Sequence, residues 1–201
     1  MESKTKQAFA VWVTGLPASG KSTLARQVEA QLAKLGTDVA VLESDELRKI
    51  LTPNPNYDEQ ERDLFYSQMV YIGHLLVRHG VPVIFDATAN RRAYRDRARQ
   101  QIEGFVEVYV DSPLSICIAR DPKGIYRSAR EQSANTVPGF QSSYEPPESP
   151  DVVVHGDRES PEPAALRVIQ ALIDRGYLIA AESHALNRRA IPDSARLPEG
   201  H

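Results

Sequence analysis

Residues 15–22 read GLPASGKS, a glycine-rich stretch that ends in lysine and serine. It fits the pattern Gly, four residues, Gly, Lys, Ser or Thr, whose backbone N–H groups turn inward around a polyphosphate. In that pattern Lys21 reaches the β and γ phosphates and the Ser22 hydroxyl binds Mg²⁺. The stretch predicts a site for ATP and Mg²⁺, although a GTPase or an ATP-driven switch would bind in the same way. The residues expected at the nucleotide are Gly15, Ala18, Ser19, Gly20, Lys21, Ser22 and Thr23.

Three aspartates directly follow short apolar runs, at the places where strands of a parallel sheet would end. Ligands of doubly wound sheets lie beyond those carboxyl ends. Asp45 and Asp86 could divide the two tasks of phosphoryl transfer, activating the acceptor hydroxyl and holding the metal. Each could instead cap the helix that follows it, and Asp111 is expected to be only a cap. The predicted metal-binding side chains are Ser22, Asp45 and Asp86.

Arginines form a second group of candidates, since six of them follow the second and third predicted strands, where an acceptor would lie. The planar fork of a guanidinium binds sulfate and phosphate groups well, so the group indicates an anionic acceptor. Taken singly, an arginine of this kind is more often a solvated surface charge than a ligand-binding residue. The six are Arg48, Arg62, Arg92, Arg95, Arg97 and Arg99.

Short Val- and Ile-rich runs alternate with longer segments of helical period, which is typical of a parallel sheet covered on both faces. The predicted strands are 8–14, 38–42, 81–85, 106–110 and 152–154. The predicted helices are 21–35, 60–79, 92–101, 114–120 and 163–175. The pattern predicts a three-layer α/β fold of the P-loop NTPase type, with a mostly parallel five-stranded sheet.

The chain length of 201 residues favours one domain, which we expect to span residues 1–180. A lid is expected at about residues 120–150, because residues 136–150 are crowded with Pro, Ser and Gly and favour an active-site flap. Residues 181–201 are predicted to form a polar tail.

The composition argues against several classes of protein. A net charge of −3 supplies no general attraction to nucleic acid, and no apolar stretch is long enough to span a bilayer. The start MESKTKQ lacks the apolar core of a signal peptide, and the single Cys117 cannot form an internal disulfide. We therefore expect a cytoplasmic protein with a small-molecule acceptor and no nucleic-acid or membrane partner.

Three stretches resemble the adenylyl-sulfate kinase family of P-loop kinases. They are GLPASGKST, VEVYVDSPLSICIARDPKGIYRSAR and YEPPESPDVVV, and the similarity covers about residues 8–175. The resemblance implies phosphorylation of the ribose 3′-hydroxyl of adenylyl sulfate (APS) by MgATP to give PAPS, a step of sulfate assimilation. It also suggests a homodimer.

The resemblance also carries over individual residues near the second strand. In ESDELR, Asp45 matches an aspartate of the family's Asp-Gly-Asp-Asn-x-x-Arg motif, implied to be the catalytic base or metal organiser, and Arg48 matches its arginine. Arg62 matches the arginine of an acidic-Asp-Arg-x-x-Asn stretch, in which Phe65 takes the place of the Asn.

In the lid, the resemblance implies that Arg120 and Lys123 bring positive charge to the phosphates and that Phe140 stacks on adenine. The resulting catalytic set is Asp45, Lys21 and Lys123.

The segment FDATANRR, residues 85–92, departs from the family, which has a Ser-Phe-Ile-Ser-Pro-like strand end there. Its Asp86, Thr88 and Asn90 are similar to those of other P-loop kinases that act on small hydroxyl compounds. The acceptor therefore stays open between APS and another nucleotide, a sugar or an aminoacyl compound, and a nucleotide-binding regulatory switch is a third hypothesis. The residues expected at the acceptor are Arg48, Arg62, Phe65, Asp86, Thr88, Asn90, Lys123 and Phe140.

Overall fold

The computed structural model describes residues 7–131 and 136–179. The polar tail predicted for residues 181–201 lies outside these ranges, as do residues 132–135 of the expected lid. Within the two ranges, no helix has both the length and the apolar character needed to cross a bilayer.

Five parallel strands form one sheet in the order β2-β3-β1-β4-β5. The strands are β1 (Ala10–Gly15), β2 (Ala40–Glu43), β3 (Val83–Asp86), β4 (Phe105–Asp111) and β5 (Val152–His155). The helices are α1 (Lys21–Lys34), α2 (Ser44–Leu51), α3 (Glu59–Arg78), α4 (Arg92–Gln101), α5 (Leu114–Arg120), α6 (Ile125–Glu131) and α7 (Pro161–Asp174). The predicted fold class is confirmed.

Side chains alternate between the two faces of the sheet, and each face is buried under its own helices. Residues of β1 show the division: Val11 and Val13 pack with α1 and α7, whereas Ala10 and Trp12 pack with α3 and α4. The Trp12 ring stacks on Phe85 with centroids 4.5 Å apart. This packing fixes β1 and β3 relative to each other, and both strands end at the same edge.

Two of the helices were not predicted in full. The sequence indicated only a helix start near Asp45 and gave no indication of α6. Both helices are short, with 8 residues in α2 and 7 in α6, so neither is long enough to display a clear helical period.

Asp111 does not cap the following helix, contrary to expectation. The residue before α5 is Pro113, and no side chain accepts a hydrogen bond from the first turn. Asp111 instead accepts a hydrogen bond from the Tyr109 hydroxyl at 3.3 Å. The fixed φ of proline starts this helix without a side-chain cap.

The second half of the segment expected to be an active-site flap is hydrogen-bonded to the body of the protein. The Glu145 carbonyl accepts a hydrogen bond from Arg95 Nη2 at 2.7 Å, and its N–H donates to the Asn90 carbonyl at 2.7 Å. The Asn90 side-chain amide donates to the Ser143 carbonyl at 3.1 Å. These bonds tie residues 143–145 to the segment after β3. The active-site flap at residues 136–150 stays a prediction.

Arg95 is the centre of this attachment. Its side chain is buried, its Nε lies 2.7 Å from Glu107 Oε1 in β4, and its Nη1 donates to the Ala89 carbonyl. Ala89 has a left-handed backbone, with φ at 41°, which a non-glycine residue adopts only when its surroundings hold it. Arg95 therefore links β4, the segment after β3 and residues 143–145.

We expect Arg95→Met to lower the free energy of unfolding by about 3 kcal/mol, because it leaves the buried Glu107 carboxylate with only the partly exposed Arg99. Urea unfolding measures the loss. The matched control is Arg97→Met, which removes an exposed ion pair with Asp63 and should cost less than about 1 kcal/mol. Equal losses in the two variants would contradict the structural role of Arg95.

Candidate active site

A cavity of about 870 Å³ opens at the edge where the parallel strands end. The glycine-rich loop, α2, the start of α3 and the α5–α6 connection form its walls. Twelve of the residues predicted from the sequence line this one space. They are Ala18, Gly20, Lys21, Ser22, Thr23, Asp45, Arg48, Arg62, Asp86, Thr88, Arg120 and Lys123.

Gly15 and Ser19 belong to the glycine-rich loop but do not line the cavity. They pack against the end of β4 and the residue that follows it. A Cβ at Gly15 would lie 2.5 Å from the Val110 carbonyl oxygen, so only glycine fits between β1 and β4. Ser19 is fully buried, and its carbonyl accepts a hydrogen bond from Ser112 Oγ at 3.0 Å. The predicted contacts of Gly15 and Ser19 with the nucleotide would have to be made by their backbone N–H groups, and they stay predictions.

The glycine-rich loop leads into α1, whose first-turn N–H groups have no side-chain cap. Ala18 and Gly20 have left-handed backbones, with φ of 59° and 109°, which turn the chain sharply into α1. No side chain caps the first turn of α1, and that turn has no acidic residue. Its N–H groups and its positive end therefore remain available to phosphate oxygens.

Lys21 carries a buried positive charge into this loop. The side chain is 9% exposed, and its Nζ donates to the Leu16 carbonyl at 2.8 Å. Burial lowers the pKa of the Lys21 ammonium, and the carboxylates of Asp86 and Asp45 oppose that change. A triphosphate in the loop would give this ammonium an anionic partner in direct contact, which no described residue supplies.

Asp86 is a buried carboxylate without a partner. It is 5% exposed, and no described residue donates to its carboxylate or forms an ion pair with it. The residue that precedes α4 is Arg91, so Asp86 does not cap that helix. An unpaired buried carboxylate is costly unless a ligand offsets it.

Asp86 and Ser22 suit a magnesium site. Within residues 7–131 and 136–179, no cluster of three or more His, Cys, Asp or Glu forms a separate metal cage. Mg²⁺ bound with nucleotides usually takes one or two protein oxygens, phosphate oxygens and water. The Ser22 hydroxyl and the Asp86 carboxylate line the same cavity and fit this donor set.

Asp45 meets Lys123 across the cavity mouth. The Lys123 Nζ lies 2.5 Å from Asp45 Oδ2 and 3.8 Å from Glu43 Oε1. The hydrogen bond to Asp45 raises the pKa of Lys123. Because Glu43 occupies the cap position of α2, Asp45 lies in the first helical turn and not at the cap. The α5–α6 connection is thereby drawn toward the end of β2.

Arg48 and Arg62 form the opposite end of the cavity. Both are buried, and the Arg62 guanidinium donates to the Thr136 carbonyl at 2.6 Å and to Asn90 Oδ1 at 3.4 Å. Burial lowers the pKa of Arg62. Two guanidinium groups at one end of an otherwise mixed cavity favour an anionic ligand there.

Three residues expected at the acceptor do not line the cavity. Phe65 is fully buried, and its ring centre lies 3.9 Å from the guanidinium carbon of Arg48. Asn90 holds Arg62, and Phe140 packs edge-on against Tyr126 with centroids 5.9 Å apart. The expected substrate contact of Phe65 is corrected to support of Arg48, since the ring is apolar and packs into the core.

The other four arginines of the predicted group also point away from the cavity. All of them lie on α4 and pair with acidic residues of neighbouring segments, so they stabilise the fold. Their partners are Glu145 and Glu148 for Arg92, Glu107 for Arg95, Asp63 for Arg97, and Glu107 and Asp151 for Arg99.

Sequence reasoning missed Tyr57, which lines the cavity between the two arginines. The guanidinium carbons of Arg48 and Arg62 lie 5.1 and 5.6 Å from its ring centre. Its backbone is left-handed, with φ at 58°. A partly exposed aromatic face flanked by positive charge is suited to stacking on a base. Its position directly before the Asp-x-x-Glu pattern at 58–61 was the only indication in the sequence.

Comparison with known proteins agrees with this geometry. The profile described as adenylylsulphate kinase matches residues 7–155. The chain belongs to the adenylyl-sulfate kinase family. The adenylyl-sulfate kinase of Synechococcus sp. (strain JA-3-3Ab) is 39% identical over 173 residues, which cover 86% of this chain and 98% of that protein. A probable adenylyl-sulfate kinase of Pyrococcus abyssi is 36% identical over 172 residues, covering 86% and 99%.

A solved structure supports the same assignment. The Mycobacterium tuberculosis APS kinase in complex with AMPPNP and APS superposes with a TM-score of 0.77 and 32% identity, over 83% of this chain and 98% of that one. Membership of the adenylyl-sulfate kinase family makes this chain a phosphotransferase that acts on a hydroxyl group, which confirms the predicted class of enzyme.

For this adenylyl-sulfate kinase family member, we expect Lys21→Met to reduce the turnover number by about 10²- to 10³-fold, because it removes a preorganised positive charge from the transferring phosphoryl group. The free energy of unfolding without nucleotide should change by less than about 1 kcal/mol, since burial of the ammonium and its attraction to the carboxylates oppose each other. Steady-state kinetics and urea unfolding measure the two effects. Full activity in the variant would contradict the assigned role.

Proposed function

We propose that this protein transfers the γ-phosphoryl group of ATP to the ribose 3′-hydroxyl of adenylyl sulfate. The observation that carries the proposal is one cavity with Lys21 and the glycine-rich loop at one end and the buried Arg48 and Arg62 at the other. The family supports it, and so does the M. tuberculosis relative, whose structure holds AMPPNP and APS. ATP is accordingly the proposed phosphoryl donor.

The nucleotide end binds the donor through the backbone. The N–H groups between Gly15 and Ser22 surround the β and γ phosphates, and Lys21 gives up its bond to the Leu16 carbonyl to reach them. Ser22 and Asp86 would hold Mg²⁺, which supplies charge neutralisation for the phosphates when bound. Arg120 lines the same end of the cavity.

The transfer needs one proton acceptor. The acceptor oxygen attacks the γ-phosphorus, the bond to the bridging β–γ oxygen breaks, and ADP leaves. The hydroxyl proton passes to a carboxylate, for which Asp45 is our proposal because Asp86 lies deeper, beside Lys21. Asp45 must first release Lys123, whose ammonium can then reach the phosphates.

The acceptor end recognises an anionic nucleotide. Arg48 and Arg62 supply planar donors for the phosphosulfate group, and the Tyr57 ring offers a stacking face for adenine. Thr88 lines this part of the cavity, beside Asp86. We also propose that a lid at about residues 120–150 belongs to a single kinase domain of residues 1–180, and we retain a homodimer and a cytoplasmic location as predictions.

A second candidate is a kinase of the same family fold with a different small hydroxyl acceptor. The observation that favours it is that Asp86 lines the cavity, since its carboxylate would repel a sulfated nucleotide if nothing neutralised it. Mg²⁺ held by Asp86 would remove this objection. The regulatory switch loses support from the family assignment, because it has no use for the arginine-lined acceptor end.

The acceptor is tested by a coupled assay of ADP release with ATP, Mg²⁺ and purified APS. We expect APS-dependent turnover that stops when EDTA removes the metal, because the phosphate charge is then left unneutralised. Other nucleotides, sugars and aminoacyl compounds serve as comparison acceptors. Turnover with one of these and none with APS would establish the second candidate.

The division of roles between the two aspartates has its own test. Asp86→Asn should raise the Mg²⁺ concentration for half-maximal rate by about tenfold or more, because it weakens the hold on the metal. Asp45→Ala should reduce the turnover number by about 10²- to 10⁴-fold without that change in Mg²⁺ dependence, because it removes the proton acceptor. Asp63→Asn, an exposed residue of α3, is the control. The reverse pattern would exchange the two roles.

A further inference from the structure

We propose that Glu61 is a positioning residue for the acceptor, because its carboxylate fixes the direction of the Arg48 guanidinium and the conformation of Tyr57. The inference rests on the proposed function, which places the anionic group of the acceptor at Arg48. Glu61 does not itself line the cavity, so it acts through these two neighbours.

The Glu61 carboxylate accepts three hydrogen bonds. Its Oε1 accepts from Arg48 Nη1 at 2.6 Å, and its Oε2 accepts from the N–H groups of Asn56 at 2.5 Å and Tyr57 at 2.8 Å. Two of these donors belong to the loop between α2 and α3, and the third belongs to α2 itself. Glu61 is therefore the common partner of the two segments that carry the acceptor end of the cavity.

This contact determines which donors of Arg48 stay available. Nη1 is committed to Glu61, with a weaker bond to Thr52 Oγ1 at 3.4 Å, and the Phe65 ring lies 3.9 Å from the guanidinium carbon. No described residue accepts from Nε or Nη2 of Arg48. Because Arg48 lines the cavity, these free N–H groups are the ones that an anionic group meets.

The same carboxylate holds Tyr57 in its left-handed conformation. The Tyr57 N–H donates to Glu61, and the Tyr57 carbonyl accepts from Arg62 Nε at 2.8 Å. A non-glycine residue keeps such a conformation when its surroundings hold it, and here both backbone groups of Tyr57 are hydrogen-bonded. Without Glu61 the loop can relax, and the Tyr57 ring then moves away from the two guanidinium groups.

Glu61 also belongs to a helix start, and that role alone does not explain its contacts. Asp58 caps α3 by accepting from the Glu61 N–H at 2.8 Å. In a capping box the glutamate at this place accepts from the N–H of the cap residue. Here it reaches past Asp58 to the two preceding N–H groups and to a guanidinium. Capping of α3 does not require the hydrogen bond between Arg48 and Glu61.

The test compares Glu61→Gln with the control Asp58→Ala. Glu61→Gln keeps the size of the side chain but removes the charge and replaces one acceptor by a donor, so KM for APS should rise about tenfold. KM for ATP and kcat should change little. Asp58→Ala should lower the melting temperature through loss of the cap and leave KM for APS unchanged.

A double variant shows whether Glu61 acts through Arg48. We expect Glu61→Gln to raise KM for APS less in the Arg48→Ala background than in the wild type, because Glu61 then has only the Tyr57 N–H left to hold. Independent, additive increases would overturn the inference, and so would an equal rise of KM in Asp58→Ala. Should Glu61→Gln fail to fold, Glu61→Asp replaces it, since its shorter carboxylate cannot serve both the loop and Arg48.

The outcome for the wild-type protein separates this inference from the proposed function. Absence of APS turnover in the wild type overturns both. Normal wild-type turnover together with an unchanged KM for APS in Glu61→Gln overturns the role of Glu61 alone.

Discussion

The parallel hydrogen-bond ladder places every strand end at one edge of the sheet, and the cavity depends on that constraint. Asp86 at the end of β3 lies in register with Val13 of β1 and Glu43 of β2. The glycine-rich loop leaves β1, and α2 leaves β2, at the same level. Groups from distant parts of the sequence are thus assembled at one edge before any ligand binds.

At that edge, two buried side chains carry charges that are not fully compensated when no ligand is bound. Lys21 is a buried ammonium whose pKa burial lowers, and the buried Asp86 carboxylate near it has no hydrogen-bond partner among residues 7–131 and 136–179. Both are unfavourable in isolation, since charges are costly away from water. The fold compensates with two hydrophobic cores and with ion pairs such as Arg95–Glu107. The buried charges of the site are thus carried by a scaffold that is stabilised elsewhere.

The sequence was sufficient for features that depend on local spacing. The glycine-rich loop is contiguous, and Asp45 and Asp86 follow recognisable strands, so all of them could be placed in advance. Contacts between segments that are distant in the sequence could not be predicted. Arg95 and Glu145 are 50 residues apart in sequence, and nothing local distinguishes Arg95 from its neighbours on α4. The six-arginine acceptor group was wrong in part for this reason, since four of its members pair with acidic side chains outside the cavity.

Short or strained elements were the other source of error. Helix α6 is too short for its sequence to show a helical period of apolar residues. Tyr57 has a left-handed backbone although it is not a glycine, so its residue type does not indicate that conformation. Phe65 was placed by its position in a motif, whereas its apolar ring determines where it packs. A motif match therefore locates a residue along the chain more reliably than it locates the side chain in space.

The Lys123–Asp45 pair has a consequence for the order in which ligands arrive. A tethered ammonium competes with any bare divalent ion for the oxygens of Asp45 and Glu43. An ion already chelated by a triphosphate meets no such disadvantage, because the phosphates also offer the ammonium a new anionic partner. With Ser22 and Asp86 as the proposed metal ligands, the pair would thus keep a bare ion away from Asp45, and would free Asp45 to accept a proton once the chelated donor arrives.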